Sequence, residues 1–329
     1  MSSAPAATDT QPGAPGWRED RWSWLVVAVA SVVATVAWGA TTRVMGDSSS
    51  YRVSGRILAD GWNALTDRTP GYPALLWLTG SLHRETTLLF LVQLALHVAA
   101  VVLCVRIAGR IGLSPGWRLA VAALLVLPPP MVKVVYSGSE ALAELLVVAV
   151  LWCFVSWLDR PTASRLLGMG AAIGALALTR PTFSVLVVPL ALLVWWVARR
   201  RGPARGAAPT DEAAAPDPVA APGPVAVPRP VAAAALVAAP AAGPVLALGL
   251  SNGIRFDSWG TTPLLGWYLG SRTSTFVQEL PPDRDGVREL LVAERDRRLL
   301  LGPGTDAENY QFGIRDELER RTGLTGTDL

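Results

Sequence analysis

Residues 43–85 hold the side chains whose types and spacing are best suited to chemistry. Asp47 lies a few residues beyond the first strongly apolar run, where a carboxylate can stand at the edge of a helical bundle and stay partly hydrated. This is a plausible position for a general base. Arg68 begins the motif R-T-P-G-Y-P, in which two prolines and a glycine shape the backbone. The segment therefore combines a candidate base with an arginine beside a constrained turn.

Two further carboxylates, Glu140 and Glu144, stand at the start of a later apolar run. They are one helical turn apart and share one face of the predicted helix. A carboxylate inside a membrane span is a functional candidate by default. A structural ion pair with Arg180, which lies between two other apolar runs, is an equally good interpretation.

Apolar runs must position these side chains, and their number indicates a membrane protein. Of the 329 residues, 51% are hydrophobic and 17% are charged, which is far from the composition of an ordinary soluble protein. A spanning helix needs ~20 apolar residues, and lipid offers the backbone no hydrogen-bond partner outside the helix. We therefore predict an all-α membrane protein with about seven transmembrane helices, a short interfacial helical external loop and a C-terminal outer-surface segment. The predicted spans are residues 22–40, 86–105, 117–131, 141–157, 166–178, 183–197 and 231–250.

Prolines and polar composition divide the rest of the chain. The third and fifth spans are short, and three consecutive prolines at 128–130 should bend or end the third. The external loop should hold an interfacial helix at 50–58 and a half-embedded helix at 74–82, preceded by a break at the two prolines. The first part of the chain is predicted to be a disordered cytoplasmic N-terminus (1–21) followed by a transmembrane bundle (22–201) with external loop 43–85. An Ala/Pro-rich cytoplasmic linker (202–230) then leads to a last span (231–250). The chain continues as an extracytoplasmic segment (251–329) with amphipathic helices at 286–301 and 308–321.

The distribution of basic residues predicts the orientation of the bundle. With the N-terminus in the cytoplasm, twelve of the 29 basic residues fall inside, seven fall outside and ten lie in the C-terminal tail. Short cytoplasmic loops attract Arg, so this bias favours a cytoplasmic N-terminus and an extracytoplasmic C-terminus. The abundance of Arg, Ala, Gly and Pro is typical of a bacterial protein, which predicts a multi-pass protein of the bacterial inner (plasma) membrane.

The motifs in this order resemble those of a known enzyme family. Asp47, Tyr51 four residues later and the R-x-P-G-Y-P element before a hydrophobic helix resemble the first external loop of GT-C glycosyltransferases. The pattern is similar to the bacterial family-39-like enzymes, which include relatives of protein mannosyltransferases and of the aminoarabinose transferase of lipid A. Y-S-G-S-E at 136–140, L-T-R-P-T at 178–182 and the start of the outer tail at 252–260 fit the same pattern, so the resemblance extends over residues 22–259.

The sequence departs from that family in two ways. Many relatives carry two adjacent acidic residues in the first loop, whereas Ser48 follows Asp47 here, which argues against a metal-bridging role. Relatives also continue into more spans after the outer segment. The chain therefore resembles a short or truncated member of the family, or one half of a split gene.

The resemblance implies an inverting transfer of a sugar from a polyprenyl-phosphate donor to a glycan, lipid or protein acceptor on the extracytoplasmic face. Asp47 would be the general base. The resemblance assigns the donor phosphate to Arg68, Arg180 and Lys133, since guanidinium groups suit phosphate oxygens, and it gives Tyr51, Tyr72, Glu140 and Glu144 supporting roles. No cofactor and no metal ligand is predicted, a need for a divalent metal is left open, and neither the sugar nor the acceptor can be inferred.

Other interpretations of the same residues stay open. A multi-span transporter or flippase would line its route with charged residues in broken helices, although no internal repeat is visible. A noncatalytic, truncated relative is a third interpretation. Lys133 could simply extend its amine toward the surface, and Arg52, Arg56 and Arg84 could contact lipid headgroups. The sequence contains no phosphate-binding loop, no dinucleotide-binding glycine pattern and no clustered Cys/His spacing, and no nucleic-acid partner is predicted.

Overall fold

The computed structural model describes residues 19–44, 46–201, 229–262, 285–300 and 320, and these residues form helices and connecting turns with no β-strand among them. The predicted all-α class is therefore confirmed. The helices are α1 (Arg21–Trp38), α2 (Ser48–Ala59), α3 (Gly71–Leu78), α4 (Thr87–Arg110), α5 (Pro115–Leu125), α6 (Pro128–Val135), α7 (Glu140–Asp159), α8 (Ala163–Thr179), a 3-10 helix (Pro181–Leu186) that continues into α9 (Val187–Arg201), α10 (Pro230–Phe256) and α11 (Asp285–Leu300).

Five of the described helical segments are long and apolar enough to cross a membrane. They are α1, α4, α7, the continuous 3-10 helix and α9, and α10. A sixth span results if α5 and α6, which are bent by 47° at their junction, are taken together. The fifth predicted span corresponds to α8, which has 17 residues and rises only about 25 Å, less than the ~30 Å of a bilayer core. The structure thus supports five or six spans, and the seventh stays a prediction.

The bend between α5 and α6 has the cause that the sequence predicts. The helix α6 begins at Pro128, and Leu127 before it has an extended backbone. Proline has no N–H to donate and disfavours a helical conformation in the residue before it. The three prolines therefore occupy the first turn of a new helix, where missing donors cost nothing.

The connections between helices gather at two opposite ends of the bundle. At one end, Arg110 of α4 donates to the Ser156 hydroxyl of α7 over 2.7 Å, and Arg201 of α9 donates to the carbonyl oxygen of Leu158 over 2.8 Å. We call this the basic end. At the other end, Arg43 pairs with Tyr136 through an isolated parallel bridge. We call this second end, which carries residues 43–85, the loop end.

Glycines allow α8 and α10 to pack closely. A Cβ atom added to Gly174 of α8 would lie 2.6 Å from the carbonyl oxygen of Pro240 in α10, and one at Gly170 would meet the carbonyl oxygen of Val237. Small residues four apart are typical of helix pairs whose backbones touch inside membranes. The main apolar core lies beside this contact and contains Trp157 and Ile173.

The segment 43–85, predicted to be an external loop, contains two short helices, and one of them differs from its prediction. The helix predicted at 50–58 is confirmed as α2, which begins two residues earlier, and its interfacial position stays a prediction. The predicted break before the second helix is present up to Pro70, but α3 begins at Gly71, three residues before the predicted start, and Pro73 lies in its first turn, where proline is tolerated. It ends at Leu78, four residues before the predicted end, and Gly80 follows with a left-handed φ of 66°.

The tail prediction is tested only in part. The predicted amphipathic helix at 286–301 corresponds to α11. Most of the predicted linker at 202–230, nearly all of the predicted helix at 308–321 and the first 18 residues lie outside the described residues.

Candidate functional site

Asp47, Arg68 and Arg180 line a single open cavity of about 570 Å³ at the loop end. Asp47 precedes α2, Arg68 lies between α2 and α3, and Arg180 connects α8 to the 3-10 helix. The cavity therefore forms where three helix ends meet. Tyr51 also contributes to its wall, together with Asp67, Thr69, Thr179, Pro181, Thr182, Ser184, Val185 and Thr262.

Arg68 is held by several neighbours. Its Nε donates to the Ser50 hydroxyl over 2.8 Å, and its backbone N–H donates to the Ser54 hydroxyl over 3.2 Å. Its guanidinium carbon lies 4.9 Å from the centre of the Tyr51 ring, within cation–π range. Its Nη2 lies 2.7 Å from Oδ1 of Asp47. Arg68 is thus held in place through its backbone and through its guanidinium group.

Asp47 and Arg68 differ sharply in exposure although they form one ion pair. The side chain of Asp47 is 61% exposed, whereas that of Arg68 is only 15% exposed. The carboxylate therefore remains hydrated, as a group that exchanges protons with water must. The guanidinium is largely desolvated, which strengthens its attraction for an anion.

Arg180 is positioned from the start of α7. Its Nε donates to the Ser139 hydroxyl over 2.8 Å, and its Nη2 pairs with the carboxylate of Glu140. The side chain of Glu140 folds back over Gly138, where a side chain would collide with that carboxylate. Of the two interpretations of Glu140, the described contacts match the ion pair.

Ser139 joins the two arginines, and its role was not predicted from the sequence. Its hydroxyl, which is fully buried, lies 3.0 Å from the Tyr51 hydroxyl as well as 2.8 Å from Arg180 Nε. Because Tyr51 also contacts the Arg68 guanidinium, a continuous path of contacts runs from one arginine to the other. The only sequence signal was the Y-S-G-S-E motif at 136–140, which contains Ser139.

Tyr72 supports the site from below without lining the cavity. Its ring packs edge-on against Tyr51 at 4.9 Å, and its hydroxyl donates to Oε1 of Gln93 over 2.8 Å. Gln93 in turn donates to the carbonyl oxygens of Val134 and Tyr136. Burial raises the pKa of the Tyr72 phenol, so the hydroxyl keeps its proton and remains a donor. Tyr72 therefore ties α3 to α4 and to the end of α6.

Lys133 and Glu144 lie in a separate cluster and do not line the cavity. Nζ of Lys133 is 2.6 Å from Oε1 of Glu144, and Nδ1 of the fully buried His97 is 2.8 Å from Oε2 of the same carboxylate. These contacts connect α6, α7 and α4. Lys133 is thus brought to Glu144, away from the two arginines with which it was grouped.

The remaining polar residues of the loop hold it together. Arg52 pairs with the carboxylate of Glu85, which also accepts from the Thr42 hydroxyl, and Arg56 donates to the carbonyl oxygen of Leu82 over 3.3 Å. His83 and Arg84 are exposed. Thr262, which also lines the cavity, contacts the loop directly, because its hydroxyl donates to the carbonyl oxygen of Asp67 over 2.7 Å.

Among the described residues, no three His, Cys, Asp or Glu side chains lie close enough together to hold a metal ion. Comparison of the chain with protein-family models, curated proteins and solved structures finds no match.

Proposed function

We propose that the chain is a membrane glycosyltransferase of GT-C type. It transfers a sugar from a polyprenyl-phosphate donor to a glycan, lipid or protein acceptor at the extracytoplasmic face of a bacterial plasma membrane, with inversion at the anomeric carbon. The observation that carries this proposal is the convergence of Asp47, Arg68 and Arg180 on one cavity.

The three side chains have complementary roles in this reaction. Asp47 accepts the proton of the acceptor hydroxyl as its oxygen attacks the anomeric carbon. The bond between that carbon and the donor phosphate breaks, and its electron pair leaves with the phosphate oxygen. Arg68 and Arg180 stabilise the additional negative charge that develops there.

The setting of the cavity also suits a lipid-linked substrate. Its volume of about 570 Å³ is within the usual range of ~300–1,000 Å³ for small-molecule sites, enough for a sugar and a phosphate. Pro181 and the exposed Val185 on its wall lead into the apolar segment of the 3-10 helix and α9. A polyprenyl tail would therefore lie along apolar helices while its phosphate reaches the arginines.

The predicted orientation agrees with this assignment. The basic end carries arginine clusters at the ends of several helices, and these are Arg106, Arg110, Arg118, Arg160, Arg165, Arg199, Arg200 and Arg201. Under the loop-charge rule that end faces the cytoplasm. The loop end and its cavity then face outward, where lipid-linked sugars are used.

The partly buried cluster of Lys133, Glu144 and His97 favours a second candidate function, a multi-span transporter or flippase. Its route would pass along charged residues inside the bundle. The transporter interpretation predicts substrate flux in proteoliposomes, whereas the enzyme interpretation predicts none.

A transfer assay tests the proposal. The full chain in nanodiscs is supplied with radiolabelled polyprenyl-phosphate hexoses and pentoses, and donor hydrolysis is followed alongside transfer so that water can replace an unknown acceptor. Asp47→Asn and Arg68→Ala should each lower turnover at least about 100-fold. Asp60→Asn, an exposed substitution in the same loop, is the matched control and should not change turnover. Wild-type turnover by Asp47→Asn would remove that carboxylate from the mechanism.

A further inference from the structure

The ion pair between Arg68 and Asp47 joins two groups that the reaction needs separately. While Nη2 of Arg68 donates to Oδ1 of Asp47 over 2.7 Å, one of the two N–H groups of that nitrogen is taken and the carboxylate compensates the guanidinium charge, so a donor phosphate must compete with Asp47 for Arg68. The same contact engages Oδ1 of the carboxylate that must accept the acceptor's proton and holds that carboxylate against Arg68. The resting site therefore holds its cation and its base in mutual contact.

Resting on the proposed function, we infer that the donor phosphate displaces Asp47 from Arg68, so that Asp47 becomes an available base only after the donor has bound. The enzyme would then bind its two substrates in a fixed order, donor before acceptor.

The contacts of the two residues indicate which one moves. Arg68 stays in place because Ser50, Ser54 and the Tyr51 ring hold it independently of Asp47. The side chain of Asp47 is 61% exposed, and its ion-pair partner among the described residues is Arg68. An arriving phosphate therefore exchanges with the carboxylate at a guanidinium that is already oriented.

The second arginine lacks this asymmetry. Glu140, the partner of Arg180, is the first residue of α7, where the partial positive charge of a helix N-terminus stabilises a carboxylate. Glu140 is thus held by its helix as well as by Arg180. Exchange with the donor phosphate is consequently easier at Arg68 than at Arg180.

The exchange accounts for every proton and charge in the cycle. The donor phosphate accepts the Arg68 Nη2 hydrogen bond that Asp47 had accepted, and the Asp47 carboxylate turns to the cavity. The acceptor O–H gives its proton to Asp47, the acceptor oxygen bonds to the anomeric carbon, and the carbon–oxygen bond to phosphate breaks with its electron pair on the phosphate. When the polyprenyl phosphate leaves, Asp47 releases its proton to water and pairs with Arg68 again.

This inference predicts that loss of the catalytic carboxylate tightens binding of the phosphate. Asp47→Asn should lower the Kd for undecaprenyl phosphate about three- to fivefold, the effect expected of a partly exposed ion pair that no longer competes. The gain should shrink as salt concentration rises, since salt screens the competing charges. A merely structural role for Asp47 would instead weaken binding.

The experiment measures equilibrium binding of undecaprenyl phosphate to the full chain in nanodiscs for the wild type, Asp47→Asn, Asp47→Ala and the control Asp60→Asn. Tighter binding by both Asp47 variants, with Asp60→Asn unchanged, supports the inference. Binding that is equal or weaker in the Asp47 variants, in samples with the wild-type unfolding temperature, overturns the inference but leaves the proposed function standing. A wild type that does not bind undecaprenyl phosphate overturns the proposed function itself.

Discussion

Gly71, the first residue of α3, allows the two arginines of the site to approach each other. A Cβ atom at this position would lie 2.6 Å from Oγ1 of Thr179, 2.8 Å from the carbonyl oxygen of Leu178 and 2.9 Å from Cα of Thr179. The last two are backbone atoms and cannot rotate away. Since Arg68 lies three residues before Gly71 and Arg180 directly follows Thr179, this contact fixes the spacing of the arginines.

The substitution Gly71→Ala should therefore affect both stability and the site. The new carbon stands about 0.6 Å too close to the Leu178 oxygen for ordinary van der Waals contact, which begins at 3.4 Å. Forcing such a group into a packed contact costs about 1–3 kcal/mol. A displacement of about this size between catalytic groups should lower turnover on the order of tenfold, because a misplacement of ~1 Å can cost ~100-fold.

The assay compares thermal unfolding, turnover and undecaprenyl phosphate binding for Gly71→Ala and Gly116→Ala. Gly116 also lies in the first turn of a helix, α5, but a Cβ atom there has no neighbour within 4 Å. Both substitutions gain helix propensity equally, so a difference between the two variants reports the contact of residue 71 with Leu178 and Thr179. A Gly71→Ala variant that unfolds and binds like Gly116→Ala would refute the close approach of α3 and α8.

Three further predictions concern the elements around the cavity. Ser139→Ala leaves the hydroxyl of the buried Tyr51 and Nε of the half-buried Arg180 without this partner, which should cost about 1–3 kcal/mol of stability and raise the Kd for undecaprenyl phosphate, while Ser139→Thr should restore part of both. Glu144→Gln leaves the Lys133 charge without its carboxylate and should lower the free energy of unfolding by about 3 kcal/mol, measured in detergent by chemical denaturation. Gly174→Ala places a carbon 2.6 Å from the Pro240 carbonyl oxygen and should lower the unfolding temperature through overpacking.

Each of these predictions has an outcome that contradicts it, and the glycine and serine substitutions each have a control. Gly243→Ala in α10 adds a carbon with no neighbour within 4 Å, so it should keep the wild-type unfolding temperature. If Gly174→Ala does the same, the packing of α8 on α10 is wrong. The control for Ser139→Ala is Ser164→Ala, which removes an exposed hydroxyl at the basic end. If the two substitutions change stability and binding equally, Ser139 has no role in the site. Unchanged unfolding of Glu144→Gln would show that the partly buried cluster contributes nothing to stability.

Helix content and the position of the proline bend follow from the sequence because they depend on local properties. Apolar runs of sufficient length become helices wherever the backbone has no other hydrogen-bond partner. Three prolines at 128–130 bend the third predicted span because of their own covalent structure. The start of α3 was misplaced because proline disrupts a helix interior but is compatible with its first turn, and the sequence alone did not distinguish the two.

The candidate site could be predicted only in outline. Asp47, Arg68 and Arg180 cluster because they lie at the ends of apolar runs. Consecutive runs must cross the membrane in alternating directions, which brings these ends to the same side. The partner of each charge depends on packing angles between helices, which residue spacing does not encode. Lys133 thus lies beside Glu144 and His97, and Ser139 was overlooked because a small hydroxyl gains its importance only from the two groups that approach it.

The unequal exposure of the two halves of the site has a physical reason. Cations that stabilise a developing phosphate charge act most strongly when they are desolvated and already oriented, since no reorganisation is then needed during the reaction. A base must receive a proton from one substrate and return it to water in every cycle, which requires contact with solvent. Under the proposed function, a rigid, largely buried Arg68 beside a hydrated Asp47 satisfies both conditions, and the ion pair between them would compensate the charge of Arg68 until a phosphate arrives. Reversing the exposures would leave the arginine screened by water and the carboxylate without a route for its proton.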